Sequence, residues 1–179
     1  ITGAEDVIQS MENTAREYEL PLEASLQLSA WQVRIWLVQG KLELASQWVG
    51  ERGLDPDGEP TYLHEMEHIA FARILIAQGR LDEAARLLQR LLEAAEAGER
   101  NSRVIELLML QTLVAQSGGD TVQAMSTLEQ ALAFAEAGGF IRIFVDEGPP
   151  MAHLLHETLS RGIAPDYVSR ILAAFPLVE

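Results

Sequence analysis

Apolar positions recur along most of this chain at the 3.6-residue spacing of an α-helix. Ala4, Val7, Ile8, Met11, Ala15 and Tyr18 form one such stripe, which predicts a helix over about 4–18, the second half of a hairpin whose first half is absent. Pro21 opens the next helix, because its missing N–H is not needed in a first turn. That helix is expected to run to about Gln39, with a partner over 41–50. The stretch Gly53-Leu-Asp-Pro-Asp-Gly-Glu-Pro60 is rich in helix breakers and reads as a loop. Helices near 61–78, 81–97, 102–117 and 121–136 follow. After Gly138 and Gly139 the texture changes: Phe140-Ile-Arg-Ile-Phe-Val145 is apolar and β-branched, and it is expected to be an extended connector. Pro149 and Pro150 then open a helix to about Ser160, and Pro165 opens a last one that ends before Pro176.

The pattern repeats. Arg34-Ile-Trp-Leu-Val-Gln-Gly40-Lys-Leu42-Glu-Leu-Ala45, Arg73-Ile-Leu-Ile-Ala-Gln-Gly79-Arg-Leu81-Asp-Glu-Ala84 and Leu113-Val-Ala-Gln-Ser-Gly-Gly119-Asp-Thr121-Val-Gln-Ala124 align without gaps. Gly40 and Gly79 are 39 residues apart, and Gly79 and Gly119 are 40 apart. Each unit has an apolar helix, a glycine able to take the left-handed conformation that closes it, and a second helix about two residues later. Asp82 and Asp120 place a carboxylate near the start of that second helix, where backbone N–H groups lack partners. Ala45, Ala84 and Ala124, each five residues past the glycine, let the two helices approach closely. Repeats of this length and make-up predict an all-α fold: tetratricopeptide-like antiparallel helix hairpins stacked in a right-handed superhelix. Residues 1–137 form the repeats, with hairpins near 21–50, 61–97 and 102–136. Residues 138–179 supply a connector and closing helices.

Composition narrows the function. The chain is 48% hydrophobic with a mean hydropathy of +0.05, and no apolar run approaches the roughly 18 residues of a membrane span. Thirteen Lys and Arg against 27 Asp and Glu give a net charge of −14, which repels phosphate backbones and argues against direct nucleic-acid binding. With no cysteine, disulfides and thiolate metal sites are excluded, which fits a reducing, cytoplasmic setting. The chain begins at Ile1 with no signal-peptide pattern and reads as a fragment of something longer.

The run Tyr62-Leu-His-Glu-Met-Glu-His-Ile-Ala-Phe-Ala-Arg-Ile-Leu-Ile-Ala-Gln-Gly-Arg-Leu-Asp-Glu-Ala84 resembles the repeat region of the large MalT-like, LuxR-type bacterial transcription regulators. Gly139-Phe-Ile-Arg-Ile-Phe-Val-Asp-Glu-Gly-Pro-Pro-Met-Ala-His-Leu-Leu155 resembles the segment that closes that region, and Arg142 to Pro150 is its more specific part. The resemblance is strongest over 60–155 and weakest before Pro21. It implies an ATP-binding switch domain upstream, a helix-turn-helix DNA-binding domain downstream, and repeats between them that receive an inducer or a partner protein. Neither flanking domain is in this sequence. It contains no Gly-rich phosphate loop followed by Lys and Ser or Thr, and no helix with a basic recognition face. ATP and DNA are therefore expected to be engaged only through domains outside it.

Several constellations invite chemistry. His64-Glu65-Met66-Glu67-His68 matches H-E-x-x-H, in which two His one turn apart bind zinc and Glu activates water. A third ligand and a substrate cleft are also required, and His153 and His156 lie in a distant helix. Surface residues opening a repeat helix are the better reading, and no metal is expected. Arg34 and Arg73 occupy equivalent places six residues before the repeat glycines, with Leu113 at the third. They suit either an anionic ligand or acidic peptide in the groove, or ion pairs to carboxylates such as Glu65 and Glu106, and the second carries more weight. Trp36 and Trp48 are expected to fill a hairpin core and Trp31 to face out. Asp146 and Glu147 are expected to cap the helix that Pro149 opens.

No nucleophile–base pair stands at a working spacing, so the chain is read as non-catalytic and without cofactors. It is expected to bind a small-molecule inducer or a partner protein along the concave face made by the first helices of the hairpins. Arg34, Arg73, Trp31, Met66, Ile69 and Glu106 are the candidate contacts. The competing expectation is a stand-alone scaffold for protein–protein contact or self-association, since a solenoid's apolar end faces can pair into a homo-oligomer.

Overall fold

The computed structural model describes residues 21–176 throughout, the side chains of Leu22 and Glu23 excepted, together with Gly3, Asp6, Val7, Ser10, Met11, Asn13 and Thr14. Those seven early positions are helical; the rest of the stripe expected over 4–18 lies outside the described residues. Among the described residues there are helices and turns and no strand. In chain order they are α1 (Leu22–Val38), α2 (Leu42–Arg52), a 3₁₀ turn (Tyr62–His64), α3 (Glu65–Ala77), α4 (Leu81–Ala97), α5 (Asn101–Ser117), α6 (Thr121–Gly138), α7 (Arg142–Val145), α8 (Pro149–Ser160) and α9 (Pro165–Ala173).

The three repeat glycines close their hairpins identically. Gly40, Gly79 and Gly119 have φ of +72°, +72° and +80°, a backbone region that a Cβ strains. Their N–H groups donate to Leu37, Ile76 and Gln116 carbonyls three residues back, at 3.1, 3.0 and 3.1 Å. The following N–H of Lys41, Arg80 and Asp120 reaches five residues back, to Trp36, Leu75 and Ala115, at 2.8, 2.9 and 2.9 Å. Together these bonds satisfy carbonyls that a helix end otherwise leaves open. Ala45, Ala84 and Ala124 are fully buried, as close helix contact requires. Asp120 caps α6 by accepting from the Gln123 N–H at 2.9 Å, and Asp82 lies in the first turn of α4.

The chain divides into two compact units, residues 1–91 and 92–179, with the division inside α4. In the first unit Ala30 and Val33 of α1, Ala45 and Trp48 of α2, and Ala70 and Ile74 of α3 form one core cluster. Trp36, Leu37, Met66 and Leu54 pack against it. The 53–60 loop is held down from α4: Arg90 donates to the carbonyls of Pro56, of Asp57 at 2.9 Å and of Gly58 at 2.7 Å, and Arg86 reaches the Asp57 carboxylate at 3.2 Å.

In the second unit α5 and α6 form the third hairpin, and α7 to α9 follow. The expected extended connector is instead helical over Arg142–Val145. Phe144 and Val145 are buried, and with no strand beside the segment among the described residues, its backbone groups are satisfied locally. Phe144 N–H donates to Ile141 at 3.1 Å and Asp146 N–H to Arg142 at 2.9 Å. The Phe144 ring meets the buried Tyr167 ring edge-on, 6.5 Å between centroids, and the Tyr167 hydroxyl donates to the Phe140 carbonyl. Burial pushes the Tyr167 phenol up from its ordinary range. The Asp146 carboxylate pairs with Arg142 at 3.1 Å, and the N-cap position of α8 belongs to Gly148, at φ +73° and ψ −156°.

Candidate functional site

On α1, Gln27, Trp31, Arg34 and Val38 fall at i, i+4, i+7 and i+11, which is one helical face. That face is open to solvent: Trp31 is 44% and Val38 74% exposed, and Arg34 is half-buried. The Arg34 guanidinium lies over the Trp31 ring, 5.2 Å from its centroid, a cation–π arrangement that orients both side chains. Arg73 takes the equivalent place on α3, which packs against α1, and is likewise half-buried. Both arginines have further ties within the chain.

The other sequence candidates sit differently. Met66 is half-buried against the core cluster, and Ile69, 3% exposed, is a core side chain in this arrangement. Glu106 belongs to the second unit, where its carboxylate pairs with Arg103 at 2.6 Å. Trp48 is buried and Trp36 packs on the same core cluster, leaving Trp31 as the indole that faces out.

A second constellation centres on Glu67, which is 2% exposed. One carboxylate oxygen takes Nη1 of Arg52, from the end of α2, and the other meets His64 Nδ1 at 2.5 Å. Arg52 Nη2 also donates to the Ser29 hydroxyl of α1 at 3.2 Å, and Ser29 accepts from the Trp48 indole N–H at 2.7 Å. The network ties the first hairpin to α3. It also involves the H-E-x-x-H match, which is only partly at the surface: Glu65, Glu67 and His68 are buried, whereas the His64 side chain is 43% exposed. His64 lies in the 3₁₀ turn ahead of α3 and is engaged by Glu67; His68 Nδ1 donates to the His64 carbonyl at 2.9 Å, since a carbonyl only accepts. Among the described residues no three His, Asp or Glu side chains converge as a metal would need.

At the turn of the first hairpin an open depression of about 730 Å³ is lined by Gly40, Lys41, Leu42, Glu43, Leu44 and Ser46, and neither Trp31 nor Arg34 reaches it.

A family profile described as the MalT-like TPR region matches residues 1–161, nearly the whole chain. The chain belongs to the MalT-like TPR region family. This MalT-like region is also 28% identical, over 127 residues, to the HTH-type transcriptional regulator MalT of Vibrio cholerae serotype O1. That alignment covers 71% of the MalT-like region described here and 14% of the regulator, so the chain spans about one seventh of that relative's length. No helix among the described residues is long and apolar enough to cross a membrane.

Proposed function

We propose that this chain is the effector- or partner-receiving repeat region of a cytoplasmic MalT-like transcription regulator, non-catalytic in itself, with ATP and DNA handled elsewhere in the parent protein. Its membership of the MalT-like TPR region family supports the regulatory setting. The observation that carries the binding role is the Trp31–Arg34 pair on the exposed face of α1, with Arg73 at the equivalent place on α3. A stacked guanidinium and indole, held in place and partly open to water, form a preorganised contact for a polar ligand. The test is a thermal-shift screen of the 179-residue chain against small metabolites. A ligand that binds the folded state raises the melting temperature as its concentration exceeds its Kd. A shift that disappears in Arg34→Ala and Arg73→Ala supports this face; a shift that survives both moves the site elsewhere.

One observation favours the scaffold reading. Val38 and Leu44, 74% and 43% exposed, flank the first hairpin turn where the second hairpin carries Ala77 and Glu83. Sedimentation equilibrium decides it: a dimer lost in Val38→Ser/Leu44→Ser supports self-association, and a monomer at all concentrations removes it.

A further inference from the structure

The first unit has a loop where the next repeat has helix. α2 has 11 residues and α4 has 17, yet the repeat glycines stay 39 and 40 residues apart, so residues 53–60 stand in for the last turns that α2 lacks. Within them Asp55-Pro-Asp-Gly58 has the residues a type I turn favours, with Asp first, Pro second and Gly last. The turn is closed: the Gly58 N–H donates to the Asp55 carbonyl at 3.0 Å, and the Asp57 N–H donates to the Asp55 carboxylate at 2.9 Å. A Cβ on residue 58 would lie 3.1 Å from that carbonyl oxygen, which is why a glycine fits there. Asp57-Gly58 is also the one place in the sequence where Asp or Asn precedes Gly. With no Cβ in the way, the backbone nitrogen of a glycine has the readiest access to the carboxyl group of the residue before it.

We propose that Asp57-Gly58 is a site of spontaneous isoaspartate formation, held in check by Arg90 and set free when the loop lifts from α4. In the reaction the Gly58 nitrogen bonds to Cγ of the protonated Asp57 carboxyl, whose hydroxyl leaves with the amide proton as water. Water then adds back to the five-membered imide. Opening at the former backbone carbonyl leaves the main chain running through Cβ and Cγ of residue 57, so the sum is an isomerisation with no change of mass. In the folded chain the attacking nitrogen is committed to the Asp55 carbonyl, and the peptides around it are fixed. One Arg90 guanidinium donates to the carbonyls of Pro56, of Asp57 at 2.9 Å and of Gly58 at 2.7 Å, and a charged donor makes such bonds stronger than a neutral one does. Ring closure requires the Asp57-Gly58 peptide to turn, which breaks these bonds, so the rate follows the fraction of loops that are open. The Asp57 carboxylate itself is 66% exposed, and its pair with Arg86 at 3.2 Å adds little restraint. Isomerisation lengthens the backbone inside the turn and takes the former Asp57 carbonyl off the main chain. The set of three carbonyls that Arg90 holds is then lost, and the loop stays open until a repair methyltransferase acts on the new carboxylate.

The experiment ages the 179-residue chain at neutral pH and counts isoaspartate with purified isoaspartyl methyltransferase and radiolabelled S-adenosylmethionine, while electron-transfer fragmentation locates it. A synthetic peptide of residues 53–60 with blocked ends gives the unrestrained rate. Wild type is expected to form isoaspartate at residue 57 about tenfold or more slowly than the peptide, and Arg90→Met to recover most of that difference, as loss of charge-assisted hydrogen bonds implies. Arg90→Lys keeps the charge on a compact ammonium and should fall between the two, which decides the matter if the Met variant fails to fold, with melting temperatures as the check. Arg86→Gln should change the rate by about fivefold at most. Asp57→Glu should abolish the signal, because its longer side chain closes a six-membered ring far less readily. Wild type ageing at the peptide's rate, or folded Arg90 variants ageing no faster than wild type, overturns the guarding role. A peptide that forms no isoaspartate, or a signal that persists in Asp57→Glu, overturns the site. Hydrogen exchange tests the release: the isomerised chain is expected to lose protection at its loop amides, and unchanged protection overturns that step.

Discussion

The Arg52–Glu67 pair predicts an asymmetry between its two partners. Removing one member of an ion pair is costly to the extent that the other is left charged in a place water cannot reach. The Arg52 side chain is 37% exposed and that of His64 43%, whereas Glu67 is at 3%. In Glu67→Gln the two stranded groups turn to solvent, the amide keeps the carboxylate's shape and can still accept from Arg52, and the cost is about 1 kcal/mol. In Arg52→Met the carboxylate stays buried with His64 as its remaining side-chain partner, and the cost rises to about 3–5 kcal/mol. Trp31, Trp36 and Trp48 all lie in the first unit, so urea unfolding followed by intrinsic fluorescence reports on that unit alone. With a urea m-value of about 1–2 kcal/mol/M, a difference of about 2 kcal/mol separates the two midpoints by about 1–2 M. The double variant should fall close to Glu67→Gln alone, because the buried charge that made Arg52 necessary has gone. If Glu67→Gln costs as much as Arg52→Met, or the two single losses add in the double variant, the reasoning from burial is refuted.

Three further outcomes follow from particular residues. Gly148→Ala forces a Cβ into a φ/ψ region that is essentially glycine's own and should cost about 1–3 kcal/mol, seen as a drop in the far-ultraviolet melting temperature; Gly50→Ala, in mid-helix with open space around it, should be neutral or stabilising. Ala45→Leu overfills the contact between α1 and α2 and should cost about 1–3 kcal/mol in urea unfolding, while Ser46→Ala, one residue along and half-buried, should cost less. The Tyr167 phenol, raised by burial, holds its proton in the folded state beyond the ordinary pKa of about 10; the stability this reflects is fully present below that pH and is lost as pH rises through the folded value. An absorbance titration at alkaline pH should therefore show a step above the ordinary phenol range that disappears in Tyr167→Phe.

Hairpins could be read from sequence because their chemistry is local. A glycine at positive φ, an aspartate that caps and an alanine at a close crossing each act within a few residues of one another, so the 39- and 40-residue spacings of the three motifs carried the fold. Arg142–Val145 was misread because its apolar, β-branched composition suits an extended chain, whereas its helix depends on the burial of Phe144 against Tyr167, 23 residues away. The same reason hid the Glu67 network: Ser29, Trp48 and Arg52 reach it only once α1, α2 and α3 have packed. Ile69 belongs to the first-helix candidates, yet α3 is buried on more than one side, so membership of a first helix does not separate face from core. The expected outward indole at Trp31 and inward ones at Trp36 and Trp48 agree with the structure.

The closure of each hairpin draws only on its own turn: the glycine, the residue after it and the carbonyls three and five places back. Those backbone bonds all lie within one hairpin. A gene encoding such a chain can therefore gain or lose a cassette of 39 or 40 codons with both cut ends already carrying a working turn, and a lineage can lengthen or shorten its array without first evolving a new way to stop a helix.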